Sequence, residues 1–500
     1  MSEKGFWSAR DVAVLISASV KVVQMQPVPA ILLRRMLQSG TKVRSSDHVW
    51  SVSDAAANGA RAARAMFDAG VRADSSVLIH YEGDAFETIS ALAGAWWLGA
   101  RASIVGQTEG EVAIRRTARA AGAMLAVGNL SSRQSVARQL SFLSYEEIRT
   151  AAAMAAPADC LAATPAVDLT SSGTTGPPRV VSYSHAALET NAEGIGSRLA
   201  LDATDLVYSP LPLYLPGVLG MVFLPAVMRN VSVILDDLVG ADLARASSRI
   251  SLFKPTVLYG TPYLYNVIAR RTRGTVHDGL RLAFSSSAPL PEQTFQLVYK
   301  GLGVPPRSCY CLAEAATVTI NSSSALGEVF ESVGAPLDGT TISIDSLPGE
   351  RVGRVRVSGP GCGLGYRQDG VLSPFPHDGI LTNDRGYLKD GLLYLTGRAD
   401  STVVIGGSNV DLDDVTRKIS DCPGLVEEFA VVVEDHQDIG AVSVVLVESE
   451  RFSSERIREL LDYCRRNLPA PAVPYQVRTV REIPRADSGK PRMYAERGTE

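Results

Sequence analysis

The stretch "LTSSGTTGPPRVVSYSH", Leu169–His185, holds seven Ser and Thr residues, two glycines and two prolines. Successive small residues let backbone N–H groups converge on an anion, and hydroxyl groups add further donors. The stretch lacks the Gly-Lys-Ser/Thr ending of one common phosphate loop and the G-x-G-x-x-G spacing of another. Taken alone, it is compatible with a phosphate-binding loop and with a surface linker.

Composition places the chain among globular proteins. Its 500 residues are 46% hydrophobic and 20% charged, which favours two or three packed domains. A net charge of −4 gives no general attraction to nucleic acid. The six cysteines lack paired metal-ligand spacing, and the N-terminal sequence is not that of a signal peptide, so a cytoplasmic protein is expected.

The uncharged segment Val207–Met228 is long enough to raise the question of a membrane span. It contains four prolines, which interrupt a continuous helix. We therefore expect this segment to form buried core and pocket wall, with no span of the membrane.

Helical and strand patterns alternate along the first 300 residues, from the Ala-rich stretch at Asp54 to "LRLAFSSSAPLP" at 280–291. Such alternation predicts an α/β fold with parallel sheets, in which ligands bind at the carboxyl ends of strands. From about Val352 the chain becomes rich in short β stretches. A boundary near 398 is predicted, giving an N-terminal domain at 1–398 and a small α+β domain at 399–500.

Seven further motifs follow the opening stretch in order, and together they resemble the adenylate-forming superfamily. That superfamily comprises acyl-CoA synthetases, adenylation domains of non-ribosomal peptide synthetases, and firefly luciferase. The motifs are "LPLYLPG" (211–217), "FSSSAPLP" (284–291), "CYCLAEA" (309–315), "SVGAPLDG" (332–339), "LTNDRG" (381–386), "LTGRADSTVVIGGSNVD" (395–411) and "PRADSGKPR" (484–492). The resemblance covers almost the whole chain and is nearest to the acyl-CoA synthetase branch.

The resemblance implies a large N-terminal domain of packed α/β sheets with a distorted β-barrel-like part, and a small mobile C-terminal lid. It implies an acyl-CoA ligase that activates a carboxylic acid as acyl-AMP and transfers the acyl group to coenzyme A. Its cofactors would be ATP, Mg²⁺ and coenzyme A.

The resemblance also assigns roles to residues. Lys490 would be catalytic, because a cation stabilises the charge that develops as two anions meet. Glu314 would be catalytic as the Mg²⁺ ligand, since a bare carboxylate among apolar neighbours is costly. Without the resemblance, Lys490 reads as an ordinary solvated lysine. The remaining nucleotide and thiol positions are Ser171, Ser172, Gly173, Thr174, Thr175 and Gly176 at the phosphates, Ser286, Ser287 and Ala288 at adenine, Asp384 and Arg398 at the ribose, Tyr310 as a further cofactor-binding residue, Gly406, Gly407 and Asn409 at the thiol tunnel, and the hinge Asp400.

Several positions depart from the family pattern, mostly where ATP would bind. The departures are Arg179 and Val180 for Lys-Gly, Ala313 for Thr or Ser, Cys311 and Asn383 for Gly, and Leu215 for His. They raise the hypothesis that the chain adenylates poorly and mainly transfers a ready-made acyl-adenylate to the thiol. The retained Lys490 favours the complete two-step reaction instead. Under the transfer-only hypothesis, Arg179→Lys with Val180→Gly would restore some adenylation.

In relatives that activate amino acids, the stretch corresponding to "LPLYLPG" carries an acidic residue, whereas "LPLYLPG" has none. An apolar, non-amino carboxylic acid is therefore expected, with Tyr214, Leu215 and Leu219 as pocket walls. Ordinary core packing is the alternative for these three. A carrier protein as acceptor, a separate adenylating enzyme as partner, and a relative that binds without turnover also stay open. A bacterial natural-product ligase acting on terpenoid-type acids is one specialised form of the main hypothesis.

Overall fold

The computed structural model describes most of the chain. The described residues are 28–45, 48–106, 109, 111–129, 140–170, 179–238, 240–271, 279–323, 325–399, 401–405, 408–423, 425, 429–436, 439–447, 453–481 and 483. The predicted phosphate loop Ser171–Gly176, the hinge Asp400, the thiol-tunnel residues Gly406 and Gly407, and Lys490 lie outside them.

Strands are numbered in chain order. They are β1 Val28–Pro29, β2 Lys42–Ser45, β3 His48–Ser51, β4 Ser76–Tyr81, β5 Arg101–Gly106, β6 Leu125–Gly128, β7 Ser141–Ser144, β8 Asp159–Cys160, β9 Pro165–Thr170, β10 Val180–Ser184, β11 Leu206–Ser209, β12 Ser232–Leu235, β13 Val257–Gly260, β14 Leu282–Ser285, β15 Pro306–Leu312, β16 Ala316–Ile320, β17 Ala335–Pro336, β18 Thr341–Asp345, β19 Gly353–Ser358, β20 Gly365–Gln368, β21 Val371–Pro374, β22 Ile380–Lys389, β23 Leu392–Arg398, β24 Thr402–Ile405, β25 Ser408–Asp411, β26 Phe429–His436, β27 Ile439–Val447 and β28 Gln476–Val480.

Helices cover the sheet faces and are named here by their bounds. The α-helices are Ile31–Gln38, Val52–Asp68, Ala85–Trp97, Glu111–Ala121, Tyr145–Thr150, His185–Arg198, Pro216–Val218, Leu224–Arg229, Ala246–Phe253, Pro262–Arg271, Glu292–Leu302, Leu326–Glu331, Leu412–Ser420 and Ser454–Asn467, with a π-helical turn at Leu219–Phe223 and 3₁₀ turns at Gly240–Arg245 and Ala470–Ala472.

Two large mixed sheets form the N-terminal part. One has eight strands in the order β21-β20-β10-β9-β5-β4-β6-β7, and the other has nine in the order β17-β16-β15-β14-β13-β11-β12-β2-β3. The centre of each sheet is parallel, as the alternating pattern predicts. Antiparallel pairs β9–β10 and β15–β16 interrupt this pattern, and both connections belong to the predicted site.

Small residues bring two helices of this part into close contact. An added Cβ on Gly59 would lie 2.7 Å from Cβ of Ala93, and one on Gly94 would lie 2.5 Å from Cβ of Ala62. The Ala-rich composition of Val52–Asp68 therefore reflects helix packing against Ala85–Trp97.

The segment Val207–Met228 forms β11 and a series of short helical turns in which most side chains are buried. Leu224–Arg229 is six residues long. Among the described residues, no helix combines the length and apolar character needed to cross a bilayer.

Beyond the second sheet, β18, β19, β22 and β23 form a four-stranded antiparallel sheet in the β-rich region. The C-terminal part adds the pair β24–β25 and the three-stranded sheet β26-β27-β28. Its core is a separate apolar cluster centred on Val415, Ile419, Val444 and Leu460. The expected mixed α/β fold, with a large N-terminal and a smaller C-terminal domain, is confirmed, whereas the boundary at 398/399 stays a prediction.

Candidate active site

The predicted phosphate loop connects β9 to β10, which pair antiparallel with Asp168 opposite Ser182. Strand β10 also pairs antiparallel with β20, placing Val181 opposite Tyr366. Because successive side chains point to opposite faces, residues 180 and 182 share one face of β10, and residues 181 and 183 share the other. The two faces have different chemistry.

The even-numbered face holds a buried charge cluster around Asp168, whose side chain is 0% exposed. Arg101 donates from Nε to Oδ2 of Asp168 at 3.1 Å, and Nε of Arg367 lies 3.5 Å from Oδ1. Ser182 donates to Oδ1 of the same carboxylate and accepts from Nε of Arg367 at 2.9 Å. The cluster connects β5 and β20 to β9 and β10, the two strands that the loop joins.

The odd-numbered face holds the turn that carries Glu314, between β15 and β16. The hydroxyl of Tyr183 donates to the carbonyl of Ala313 and accepts from the amide of Ala316, both at 2.7 Å. The carbonyl of Glu314 accepts from the amide of Gly363 at 2.9 Å. Ala316 has a φ of 50°, a strained value for a residue with a side chain, and these contacts hold it there.

The side chain of Glu314 is half-buried and meets Tyr366 of β20. The phenol of Tyr366 donates to Oε1 of Glu314 at 2.6 Å and accepts from Nη1 of Arg179 at 3.2 Å. Burial first, and the neighbouring carboxylate second, raise the pKa of Tyr366 to about 12, so the phenol keeps its proton. Sequence analysis missed Tyr366, because a single Tyr in a short strand gives no signal of its own.

These residues fit a bound Mg²⁺. The described residues contain no group of three or more His, Cys, Asp or Glu side chains able to hold a metal. Mg²⁺ needs none here, because it is usually held by one or two carboxylates together with substrate phosphates and water. Glu314 supplies one such carboxylate beside the exit of the predicted phosphate loop.

Asp384 and Arg398, the residues predicted at the ribose, lie together with Tyr310, the further predicted cofactor-binding residue. Tyr310 donates to Oδ2 of Asp384 at 2.6 Å, and Nη1 of Arg398 lies 3.3 Å from Oδ1 of Asp384. The backbone amide of Asp384 donates to the hydroxyl of Thr382 at 3.1 Å. Burial and the adjacent carboxylate raise the pKa of Tyr310, so it stays a hydrogen-bond donor.

The predicted adenine loop follows β14. The Ser286 hydroxyl is 2.8 Å from that of Tyr259, and an added Cβ on Gly217 would lie 2.3 Å from the same Tyr259 oxygen. Gly217 belongs to "LPLYLPG", so the acyl and adenine motifs meet at Tyr259. Ser287 has a φ of 79°, and Ala288 is exposed. Strained backbone of this kind clusters at ligand sites.

Tyr214, a predicted pocket wall, packs beside Tyr81 with ring centroids 5.7 Å apart. The Tyr81 hydroxyl donates to Oδ1 of Asp237 at 2.5 Å. Desolvation raises the pKa of Asp237 to about 6. The motif "LPLYLPG" contains no acidic residue, but the Asp237 carboxyl bonds to Tyr81, which packs against Tyr214 of that motif. The motif alone could not reveal this carboxyl, because Asp237 follows a different strand.

The other two predicted wall residues lie in the same segment. Leu215 is half-buried against the main core, and Leu219 is 2% exposed within the π-helical turn. An added Cβ on Gly106, at the end of β5, would lie 2.3 Å from Cζ of Tyr214. The aromatic ring thus fills the space that this glycine leaves.

Three of the departures from the family pattern, Val180, Cys311 and Asn383, occupy ordinary structural positions. Val180 is buried in β10 between Thr170 and Arg367, so a glycine there would leave a cavity in the sheet. Cys311 lies 3.3 Å from the sulfur of Met221, and the Asn383 side chain accepts from Arg354 at 3.0 Å.

Among the predicted thiol-tunnel residues, Asn409 lies in β25, opposite Val404 of β24. The next helix begins after Asp411, whose carboxylate accepts from the amide of Asp413 at 2.9 Å and from the hydroxyl of Ser401 at 3.0 Å. The pKa of Asp413 is raised chiefly by burial, and the nearby Arg398 opposes that shift. The C-terminal part therefore contacts the strand that carries Arg398.

His185 begins the helix after β10, and its burial should make the stability of the folded protein depend on pH. It is fully buried, packs against Trp96 at 5.2 Å between ring centroids, and has no hydrogen-bond partner within the described part of the chain. Desolvation lowers its pKa to about 4. The unfolded chain binds this proton first, so we expect stability to fall by roughly 3 kcal/mol as pH drops from about 6.5 to 4.

Urea unfolding at several pH values measures this effect as the difference between the wild type and His185→Leu. Asp237 opposes the trend, because its raised pKa adds stability as pH falls through 6, but it is present in both proteins. An unchanged difference from pH 7 to pH 4.5 would rule out His185 as the source.

Comparison with known proteins agrees with this geometry. The family model "AMP-binding enzyme" matches residues 35–367, and the model "AMP-binding enzyme C-terminal domain" matches 418–490. Sulfoacetate–CoA ligase of Cupriavidus necator is 28% identical over 344 residues, 65% of each chain. Feruloyl-CoA synthase of a Streptomyces species is 27% identical over 336 residues, 64% of this chain and 66% of its own. The match thus spans slightly less than two thirds of these relatives.

Solved structures share the fold. ATP-bound MatB from Rhodopseudomonas palustris has a TM-score of 0.81 at 22% identity, covering 93% of this chain and 97% of its own. The o-succinylbenzoate CoA synthetase MenE from Bacillus subtilis, in complex with its acyl-adenylate, has a TM-score of 0.80 at 19% identity, covering 95% and 99%. Since the first family model alone matches more than half of its residues, this chain belongs to the AMP-binding enzyme family.

Proposed function

We propose that the protein is an AMP-forming acyl-CoA ligase. The observation that carries the proposal is the position of β15 and of the turn that follows it. β15 presents Tyr310 to Asp384. In the turn after β15, the carbonyl of Ala313 accepts from Tyr183 of β10, and the carboxylate of Glu314 accepts from Tyr366 of β20. The names of the relatives, all ligases or synthases of CoA thioesters, support the same activity.

The proposed reaction has two steps. A carboxylate oxygen of the acid attacks the α-phosphorus of ATP, the bond to pyrophosphate breaks, and acyl-AMP forms. The sulfur of coenzyme A then attacks the acyl carbon, the bond to AMP breaks, and the thiol proton leaves to solvent. Mg²⁺ would neutralise phosphate charge in the first step, with Glu314 orienting it.

Roles for the remaining predicted residues belong to this proposal. Ser171–Gly176 would hold phosphates, Asp384 with Arg398 the ribose, and Ser286–Ala288 the adenine. Lys490 would stabilise the transition state of the first step, delivered by rotation of residues 399–500 about Asp400. Gly406, Gly407 and Asn409 would then line the thiol tunnel, where small residues let pantetheine pass close to the backbone.

The acid is proposed to be largely apolar, as "LPLYLPG" suggests, with Tyr214, Leu215 and Leu219 around it. Asp237 accepts a hydrogen bond from Tyr81, and burial raises the pKa of Asp237 to about 6, so this carboxyl is neutral only below that pH. A terpenoid-type acid from bacterial specialised metabolism, a cytoplasmic location, and a separate adenylating enzyme or carrier protein as partner are finer proposals.

Two assays run side by side test the function. ATP–pyrophosphate exchange with a panel of carboxylic acids reports the first step, and thioester formation from synthetic acyl-adenylates reports the second. Comparing coenzyme A with a phosphopantetheine carrier protein identifies the acceptor. Activity in both assays is expected; absence of both, with every acid tested, would contradict the proposal.

The transfer-only alternative gives a different pattern, with thioester formed from the synthetic adenylate but no exchange. Arg179→Lys tests it better alone than combined with Val180→Gly. Val180 is buried in β10, so its truncation would weaken the hairpin itself. Exchange at ordinary enzymatic rates in the wild type would eliminate this alternative.

The acyl pocket gives a prediction at Gly106. Because a Cβ at this position would lie 2.3 Å from Cζ of Tyr214, Gly106→Ala must push the aromatic ring aside. We expect KM for the cognate acid to rise about tenfold or more, with KM for ATP unchanged.

Gly220→Ala is the matched control for Gly106→Ala. Gly220 follows "LPLYLPG", the motif that contains Tyr214, and an added Cβ on Gly220 meets no atom within 4 Å in the described structure. Steady-state kinetics with varied acid compares the two. Equal KM values in both variants would show that Tyr214 does not border the acid.

A further inference from the structure

Tyr366 lies between Arg179, the residue directly before β10, and Glu314. It lies opposite Val181 in the β10–β20 pair, and Arg179 contacts its hydroxyl and its ring. The guanidinium carbon of Arg179 is 5.1 Å from the centre of the Tyr366 ring. The Tyr366 ring also packs against Phe375 in a T-shaped arrangement, with 4.9 Å between the ring centroids and 80° between the ring planes.

The direction of each hydrogen bond is determined by chemistry. The guanidinium can only donate, and the ionised carboxylate can only accept. The phenol therefore accepts from Arg179 Nη1 at 3.2 Å and donates to Glu314 Oε1 at 2.6 Å. A hydrogen bond received by a hydroxyl polarises it and strengthens the one that it donates. The three side chains form one directional chain from the loop exit to the carboxylate.

We infer that Tyr366 is a positioning residue, which fixes the Glu314 carboxylate by one oxygen so that the other faces the metal–nucleotide, and that Arg179 strengthens this hold. The inference rests on the proposed function. The inference also assigns a function to Arg179, which stands where the family pattern has lysine. Residues that hydrogen-bond a metal-ligating carboxylate orient it, and their loss typically weakens metal binding about 10- to 100-fold.

Tyr366→Phe tests the inference, because it removes the hydroxyl and retains the ring against Phe375. Calorimetric titration of the enzyme with ATP is performed once with Mg²⁺ and once with EDTA. We expect the ATP affinity to fall about 10-fold or more with Mg²⁺ and to stay unchanged with EDTA. In pyrophosphate exchange, the Mg²⁺ concentration for half-maximal rate should rise more than the maximal rate falls.

Tyr387→Phe is the matched control, since it removes a phenol hydroxyl from the Tyr387–Tyr394 stack of the four-stranded sheet. It should leave both titrations unchanged. Arg179→Ala should shift the Mg²⁺ titration in the same direction as Tyr366→Phe, by a smaller factor.

Two results would overturn the inference. One is equal ATP affinity of Tyr366→Phe and wild type with Mg²⁺, and the other is an equal loss with Mg²⁺ and with EDTA. A loss for Arg179→Ala that is independent of Mg²⁺ would overturn the part assigned to Arg179. The titrations need no acid or turnover, so wild-type protein that binds MgATP but forms no thioester would contradict only the proposed function.

Discussion

Glu314→Gln should reduce ATP–pyrophosphate exchange by at least about 100-fold. Glutamine keeps the carbonyl oxygen that accepts from Tyr366, so the turn retains its shape while the negative charge is lost. Stabilisation of phosphate charge by a bound cation is worth several kcal/mol, and each 1.36 kcal/mol is a factor of ten in rate.

Thioester formation from a synthetic acyl-adenylate should change little in Glu314→Gln, because pyrophosphate has already left. Glu331→Gln, at the exposed end of the helix Leu326–Glu331, provides the same substitution away from the site. A Glu314→Gln protein that retains wild-type exchange would refute the metal role of this residue.

Asp168→Asn should lower the free energy of unfolding of the N-terminal part by about 3 to 5 kcal/mol. The side chains of Arg101 and Arg367 are only 10% and 7% exposed, and the substitution leaves both cations buried without their counter-ion. Urea unfolding followed by tryptophan fluorescence measures this, since Trp50, Trp96 and Trp97 all belong to the affected core.

Asp345→Asn is the comparison for Asp168→Asn, because it breaks the solvent-exposed pair with Arg356. Surface pairs contribute little, so its unfolding curve should nearly overlay that of the wild type. A similar curve for Asp168→Asn would mean that the buried cluster tolerates the loss of its carboxylate.

Much of the fold could be predicted from sequence because helix and strand periodicities are local. The Ala-rich stretch at Asp54 lies in the observed helix Val52–Asp68, and the stretch 280–291 contains the observed strand Leu282–Ser285. The proximity of Asp384 and Arg398 could also be anticipated, because the resemblance assigns both to one site and they lie opposite each other on paired strands; their role at the nucleoside stays a prediction.

Other features could not be predicted because they depend on contacts between distant strands. Tyr366 reaches Glu314 only because β20 joins the sheet beside β10. Asp237 meets Tyr81 across 156 positions of sequence. Val180 illustrates the same limit: the sequence shows it only as a departure beside the phosphate motif, whereas in the structure it is a buried residue of β10.

The alternation of β10 has a consequence for variation among homologues. Shifting β10 by one residue would turn Ser182 away from Asp168 and Tyr183 away from the Glu314 turn at once. Two independent sets of contacts, one on each face of β10, therefore fix the register of the strands that flank the predicted phosphate loop. Insertions, deletions or grafted sequences between residues 170 and 179 should consequently leave the two strands aligned, which makes this connection a natural position for loop exchange between family members.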